Sequence, residues 1–508
     1  PQAALANPEA GSVLSVAESL TNLVWAHLAE GMDSISLSAN WMWPCRAQEG
    51  EDARLYSAVK ALSDFCCDLH INVPTGKDSL SMTQKYPDGK KIVSPGTVIV
   101  SAGGEVDEIN KTVSPVIKDV KDSRLYYIDF SFDKLQLGGS AFAQSQGKVG
   151  SDVPTVQNPE YFADAFMAIQ QMIGEGLVLA GHDISAGGII TCLLEMCFAN
   201  TKGGLDINFD KIQEGDIVKV LFAENPGVVI QVRNSDASRV KKILEDAGVG
   251  YCKIGTPCTE RKITVTKTVS NASVPNAQIV SRELTLDFDI DELRDVWYST
   301  SYLLDRKQSF NGKAAERFEN YKKNPVTWTL KGDSLKATPR PEGKRPVAAI
   351  IREKGTNSER EMAWSFYQAG FDVKDVTMTD LVTGRETLEE VNMIAFCGGF
   401  SNSDVLGSAK GWAGAFLFNP KAKEALDKFY SRKDTLSLGV CNGCQLMVEL
   451  GLLNNTTAST NARDYAQMLH NDSHKFESTF VTLRIPQNDS VMFGSLSGEE
   501  IGCWVAHG

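Results

Sequence analysis

The segment Leu436-Ser437-Leu438-Gly439-Val440-Cys441-Asn442-Gly443-Cys444-Gln445-Leu446-Met447-Val448-Glu449-Leu450 decides how the C-terminal third of the chain is read. Up to Val440 it is short, apolar and strand-like. From Gln445 onward it has a helical apolar pattern. Cys441 therefore sits on a tight strand-to-helix turn, at a helix N-terminus. There the backbone N–H groups and the helix dipole favour a thiolate over a thiol. The flanking glycines permit a strained elbow that exposes the sulfur. A buried, inert cysteine is the alternative reading of such a residue. Cys444, one helical turn on, reads as packing or as a redox partner. A zinc site would need a second ligand pair, and no second Cys-x-x-Cys occurs.

The same alternation extends upstream. Val347–Ile351, 371–377, 393–397 and 436–440 read as strands, and 358–369, 379–390, 421–430 and 443–451 as helices. This predicts a doubly wound parallel sheet with its active site at the carboxyl ends of the strands, where Cys441 falls. Before it, 285–342 is charged and reads as a connector. Residues 1–118 form an α/β or α+β unit, with helices over 12–31 and 51–68, strands at 34–38, 71–73 and 98–101, and a polar loop at 74–81. A second such unit covers 119–284, with helices near 159–174, 188–200 and 235–247 and strands at 125–129, 177–180 and 227–232. The remainder, 343–508, is the Cys441 domain.

Composition bounds the function. The 508 residues suit about three domains, and 42% hydrophobic with 23% charged is ordinary for globular protein. A net charge of -13 argues against nucleic acid or an anionic membrane as partner. No apolar run reaches the roughly 20 residues of a membrane helix. Eleven cysteines without regular spacing suit a reducing, cytoplasmic setting. No signal-peptide pattern opens the chain. It begins at Pro1, which points to a piece of something longer.

Three upstream segments carry candidate chemistry. In Ala17-Glu18-Ser19-Leu20-Thr21-Asn22, Glu18 and Asn22 share a helix face and offer a carboxylate and an amide oxygen to a hard cation, or simply a solvated surface. Gly181-His182-Asp183-Ile184-Ser185-Ala186-Gly187-Gly188 follows a buried strand and precedes a helix. It can gather N–H groups for a phosphate, with Asp183 available to Mg2+, or it is a capped glycine turn. Pro74-Thr75-Gly76-Lys77-Asp78-Ser79 lacks the spacing of a P-loop, yet Lys77 and Ser79 could meet a phosphate or a polarised amide oxygen.

Gly-x-Cys-x-Gly resembles the nucleophile elbow of class I glutamine amidotransferases. The full set of motifs resembles the large, single-chain phosphoribosylformylglycinamidine synthases over essentially the whole chain. Beyond the segments above, its carriers are Leu37-Ser38-Ala39-Asn40-Trp41-Met42, Cys397-Gly398-Gly399-Phe400-Ser401, Asp404-Val405-Leu406-Gly407 and Val505-Ala506-His507-Gly508. The resemblance implies the second half of an aminoimidazole-ribonucleotide-synthetase-like core followed by a glutaminase domain. It matches Cys441 to the nucleophile and His507 to its base. Gly398, Gly399 and Asn442 fall in the oxyanion and glutamine-binding region. Glu18, Asn22 and Asp183 match Mg2+ ligands, and Ser185 a nucleotide contact.

The implied activity is ATP- and glutamine-dependent conversion of formylglycinamide ribonucleotide to its amidine, in de novo purine biosynthesis. The family's triad Glu would stand just beyond Gly508, and a further Mg2+-binding Asp upstream of Pro1. Contact with an N-terminal half is expected, and this chain alone is expected to be inactive. Two rivals stay open: another glutamine-dependent ATP ligase, or a nucleotide site that is purely structural. GMP synthetase is disfavoured because no Ser-Gly-Gly-x-Asp-Ser loop occurs.

Overall fold

The computed structural model describes residues 2–270, 281–321, 323, 328, 343–453 and 466–508. Two compact units divide at Thr300/Ser301.

In the first unit, the helix Pro8–Leu23 starts where Asn7 accepts the N–H groups of Glu9 and Ala10, with Pro8 in the first turn. It ends earlier than the 12–31 pattern implied. Its buried face, Val13, Val16, Ala17 and Leu20, leaves Glu18 and Asn22 on the accessible side. A three-stranded sheet places Ile35–Met42 between Asn72–Ser79, which runs parallel to it, and Thr97–Gly104, which runs antiparallel. The expected loop at 74–81 is thus mostly strand. Parallel pairing with 36–42 extends it through Ser79, although its side chains are too polar to show a period of two.

A seven-stranded sheet follows, in the order 281–289, 262–270, 204–208, 251–258, 123–129, 227–233, 178–183. Alternation along its strands divides the core. Tyr126, Ile128, Val228 and Ile230 join the core that holds the helices Pro8–Leu23 and Pro159–Gly174. Leu125 and Val229 join the one that holds the helix Gly188–Phe198. The stretch expected as connector from 285 begins inside this sheet. Ser281–Asp289 pairs along its whole length with Lys262–Ser270, and the helix Ile290–Gln308 follows. A second helix, Lys313–Asn320, comes next, and 322–342 lies outside the described residues apart from 323 and 328.

The second unit holds a four-stranded parallel sheet in the order 372–377, 347–352, 393–396, 436–439. Ile351, Phe396, Trp412, Phe416 and Leu446 are fully buried against it. The helix expected over 379–390 stops at Thr383, where Gly384 takes a left-handed cap. A helix at Lys410–Leu417 and a hairpin pairing Glu477–Arg484 with Glu500–His507 complete the unit.

Candidate glutaminase and nucleotide sites

The elbow is built by close approach. The strand Leu436–Gly439 runs parallel to Met393–Phe396, and the Val440 N–H donates to the Phe396 carbonyl. The helix Asn442–Glu449 then packs so tightly that a Cβ on Gly443 would stand 2.1 Å from the same carbonyl oxygen. Between them Cys441 takes φ 54° and ψ -113°, a conformation costly for any side-chain-bearing residue. Cys441 is exposed there. Cys441 Sγ lies 3.5 Å from His507 Nε2. His507 is the last residue of its strand and pairs with Glu477 across the hairpin.

Gly398 and Gly399 stand beside the elbow. A Cβ on Gly398 would lie 3.1 Å from the Cys441 Cβ, and Gly399 has φ 101°. Both pair with Thr356-Asn357 in a short ladder. The Asn442 side chain does not face this space. It is buried, accepts from the Ser401 hydroxyl at 2.6 Å, and donates to Gln445 Oε1 at 3.2 Å and Asp404 Oδ1 at 3.4 Å. Any contribution of Asn442 to an oxyanion is left to its backbone N–H at the helix start. Ser401 and Asp404 are thus the residues that anchor the elbow. Their place in the Gly398–Gly407 stretch was the only sequence signal for them.

In the first unit, a cavity of about 280 Å3 is lined by Glu18, Ser15, Ser185, Glu224 and Gly138-Gly139, among others. Asp183 ends the edge strand Val178–Asp183 and is buried. Partial burial, and then the negative charge of Asp183, raise the Glu18 carboxyl above its ordinary value. A divalent cation between these two carboxylates would offset the opposition to Glu18 ionisation, and both offer the oxygen donors that Mg2+ takes.

Asn22 is exposed and is not among the cavity-lining residues. Its amide nitrogen donates to the Glu18 carbonyl at 2.8 Å. Lys77 and Ser79 also lie outside the cavity. They hydrogen-bond each other on the exposed strand.

Glu224 was missed by sequence reading. One oxygen, Oε1, accepts both the Gly187 N–H at 2.8 Å and the Ala141 N–H at 2.7 Å. Burial raises its carboxyl, the two N–H bonds oppose that, and Glu18 adds to the rise. The only hint was an acidic residue three positions before the buried strand Gly227–Arg233. Behind Asp183, His182 Nδ1 lies 3.3 Å from the Asp183 carboxylate and its Nε2 3.4 Å from Glu195.

Comparison with known proteins agrees with this layout. Residues 345–508 match the CobB/CobQ-like glutamine amidotransferase domain. Residues 1–105 match the FGAR-AT PurM_N-like domain, and 124–267 the C-terminal domain of AIR synthase related proteins. The chain is 37% identical over 525 residues to phosphoribosylformylglycinamidine synthase of Homo sapiens, across 100% of this chain and 38% of that protein.

The chain is a homologue of the phosphoribosylformylglycinamidine synthases.

Identity is also 37% to the probable chloroplastic/mitochondrial synthase of Arabidopsis thaliana, over 99% of this chain and 35% of that one. For the Drosophila melanogaster synthase it is 36%. The chain thus spans a little over a third of the length of these synthases. Among solved structures, T. maritima PurL complexed with FGAR aligns at 14% identity and a TM-score of 0.42, over 58% of this chain and 44% of that one. That likeness is too distant to carry an argument. The chain contains PurM-like domains followed by a glutamine amidotransferase domain. No helix among the described residues is long and apolar enough to cross a membrane.

Proposed function

We propose that this chain provides the glutaminase and one nucleotide-binding half of a cytoplasmic enzyme that converts formylglycinamide ribonucleotide to its amidine, using ATP and glutamine. The observation that carries the reading is the thiol–imidazole pair, Cys441 Sγ and His507 Nε2 at 3.5 Å, on a strained elbow.

In this reading the Cys441 thiolate attacks the side-chain carbonyl of glutamine. His507 accepts the thiol proton and delivers it to the departing ammonia. The N–H groups at Gly399 and Asn442 hold the oxyanion. Water, deprotonated by His507, then cleaves the thioester and releases glutamate. In the first unit, Glu18 and Asp183 would hold Mg2+, which neutralises nucleotide phosphate charge. Ser185, which lines the same cavity, would contact the nucleotide itself.

The test has two parts. Glutamate release from glutamine by the complete protein should vanish in Cys441→Ala, and release that survives the substitution overturns the glutaminase assignment. Amide-15N glutamine given to the complete protein with ATP and formylglycinamide ribonucleotide should label the amidine nitrogen. An unlabelled amidine overturns the ligase assignment.

A further inference from the structure

The strand that ends in His507 has one partner among the described residues, Glu477–Arg484. A two-stranded ribbon is soft by itself. Within the described ribbon His507 pairs with Glu477, so contacts that hold Glu477 and the His507 backbone bear on the position of the imidazole over Cys441.

Those contacts come from a polar cluster in a distant part of the chain. Arg317 lies on the helix Lys313–Asn320. It donates from Nη1 to Glu477 at 2.8 Å, and from Nε and Nη2 to Asp305 at 2.9 and 3.1 Å. Asp305, on the helix Ile290–Gln308, also accepts from the Ser309 hydroxyl at 2.6 Å and from Lys475. The turn between these helices joins in. Phe310 N–H donates to the Ser473 carbonyl at 2.9 Å, and the Asn311 amide to the Asp472 carbonyl at 3.0 Å. The Asn471 amide finally donates to the carbonyls of Lys475, at 3.1 Å, and of His507 itself, at 2.9 Å.

We infer that the Asp305–Arg317–Lys475 cluster, acting through Glu477 and Asn471, positions the His507 imidazole over the Cys441 thiol. None of the five touches substrate; they are positioning residues, and the inference rests on the glutaminase reading above. Two features favour this over plain stabilisation. Partly exposed ion pairs such as Arg317–Glu477 contribute little net stability, so a geometric role accounts better for a network of this size. The sulfur–nitrogen gap is also already at the long end for proton transfer, so a shift of about 1 Å is enough to disable it.

The experiment measures alkylation of the full chain by a chloroketone analogue of glutamine at pH 7.5. The readout is the labelling rate of Cys441 divided by that of Cys67, the other exposed cysteine, which serves as internal reference. Asp305→Asn and the near-isosteric Asn471→Asp should each lower that ratio about tenfold. Arg317→Lys, which keeps the charge, should recover part of the loss seen in Arg317→Met. Arg484→Met removes an exposed ion pair with Glu500 at the far end of the same hairpin and should leave the ratio within twofold. Unchanged ratios in Asp305→Asn and Asn471→Asp overturn the inference, as does an equal fall in Arg484→Met. A wild-type ratio near one would instead overturn the glutaminase reading, so the two failures are told apart. Asn471→Asp leaves every ion pair in place, which keeps the test decisive if Asp305→Asn fails to fold.

Discussion

Gly443 presses its Cα against the carbonyl oxygen of Phe396, so closely that a methyl group on Gly443 would stand 2.1 Å from that oxygen. The oxygen is fixed, because it belongs to a buried central strand and accepts from Val440. Gly443→Ala should therefore push the helix 442–449 off the sheet. The expected cost is about 1–3 kcal/mol, the usual range for overpacking, with a fall of several degrees in melting temperature. Cys441 alkylation should slow in parallel. Unchanged melting together with unchanged labelling would show that the elbow tolerates the shift.

Cys441 and Cys67 are the two cysteines exposed in the structure. Only Cys441 has an imidazole beside it. A glutamine-like electrophile should thus label Cys441 ahead of Cys67 and Cys444, and His507→Ala should remove most of that preference. Peptide mapping after limited labelling checks this. Equal labelling of Cys67 in the wild type would contradict it.

Glu18 and Asp183 interact although 165 residues apart in sequence. If both hold Mg2+, Asp183→Asn and Glu18→Gln should weaken Mg2+-dependent ATP binding to a similar degree, about tenfold or more each. Calorimetry with and without Mg2+ reads this directly. Binding that ignores both substitutions would exclude the site.

Burial opposes ionisation of Asp305, but hydrogen bonds from Lys475, Ser309 and Arg317 outweigh it and hold its carboxyl at about 2, against an ordinary 3.8. Between those values the unfolded chain binds the extra proton. The stabilisation is therefore complete above about pH 4 and is lost as pH falls toward 2. Solvent screening of the partly exposed partners keeps the amount below about 2 kcal/mol. Asp305→Asn should flatten the pH dependence of stability in that window. Acid titrations that superimpose for the two proteins would show that the carboxyl is not held low.

The elbow was legible because its chemistry is local: a cysteine between glycines at a change of hydrophobic period needs no distant partner to be recognised. The helix 159–174 was equally plain, since Pro159 and Asn158 mark its start and its apolar face repeats cleanly. Lys77 and Ser79 were misread as loop because a parallel neighbour at 36–42, not their own pattern, makes them strand. The hairpin at 477–484 and 500–507 escaped because it is largely exposed on both faces and buries no alternating stripe. The side-chain role of Asn442 could not be read either, since its partners Ser401 and Asp404 lie about 40 residues away. The same holds for Asp305, Arg317 and Lys475, whose proximity is a property of the fold alone.

The single Glu224 oxygen that receives both Gly187 and Ala141 ties the two segments carrying the cavity-lining Ala186 and Gly139 to one atom. Neither segment can retreat alone without breaking a bond to a partly buried carboxylate, and such a bond is costly to leave unmade. The cavity therefore has a gauge rather than a hinge: its width is set before any guest arrives. A guest that needed a wider cavity would have to give up one of these two bonds to the carboxylate.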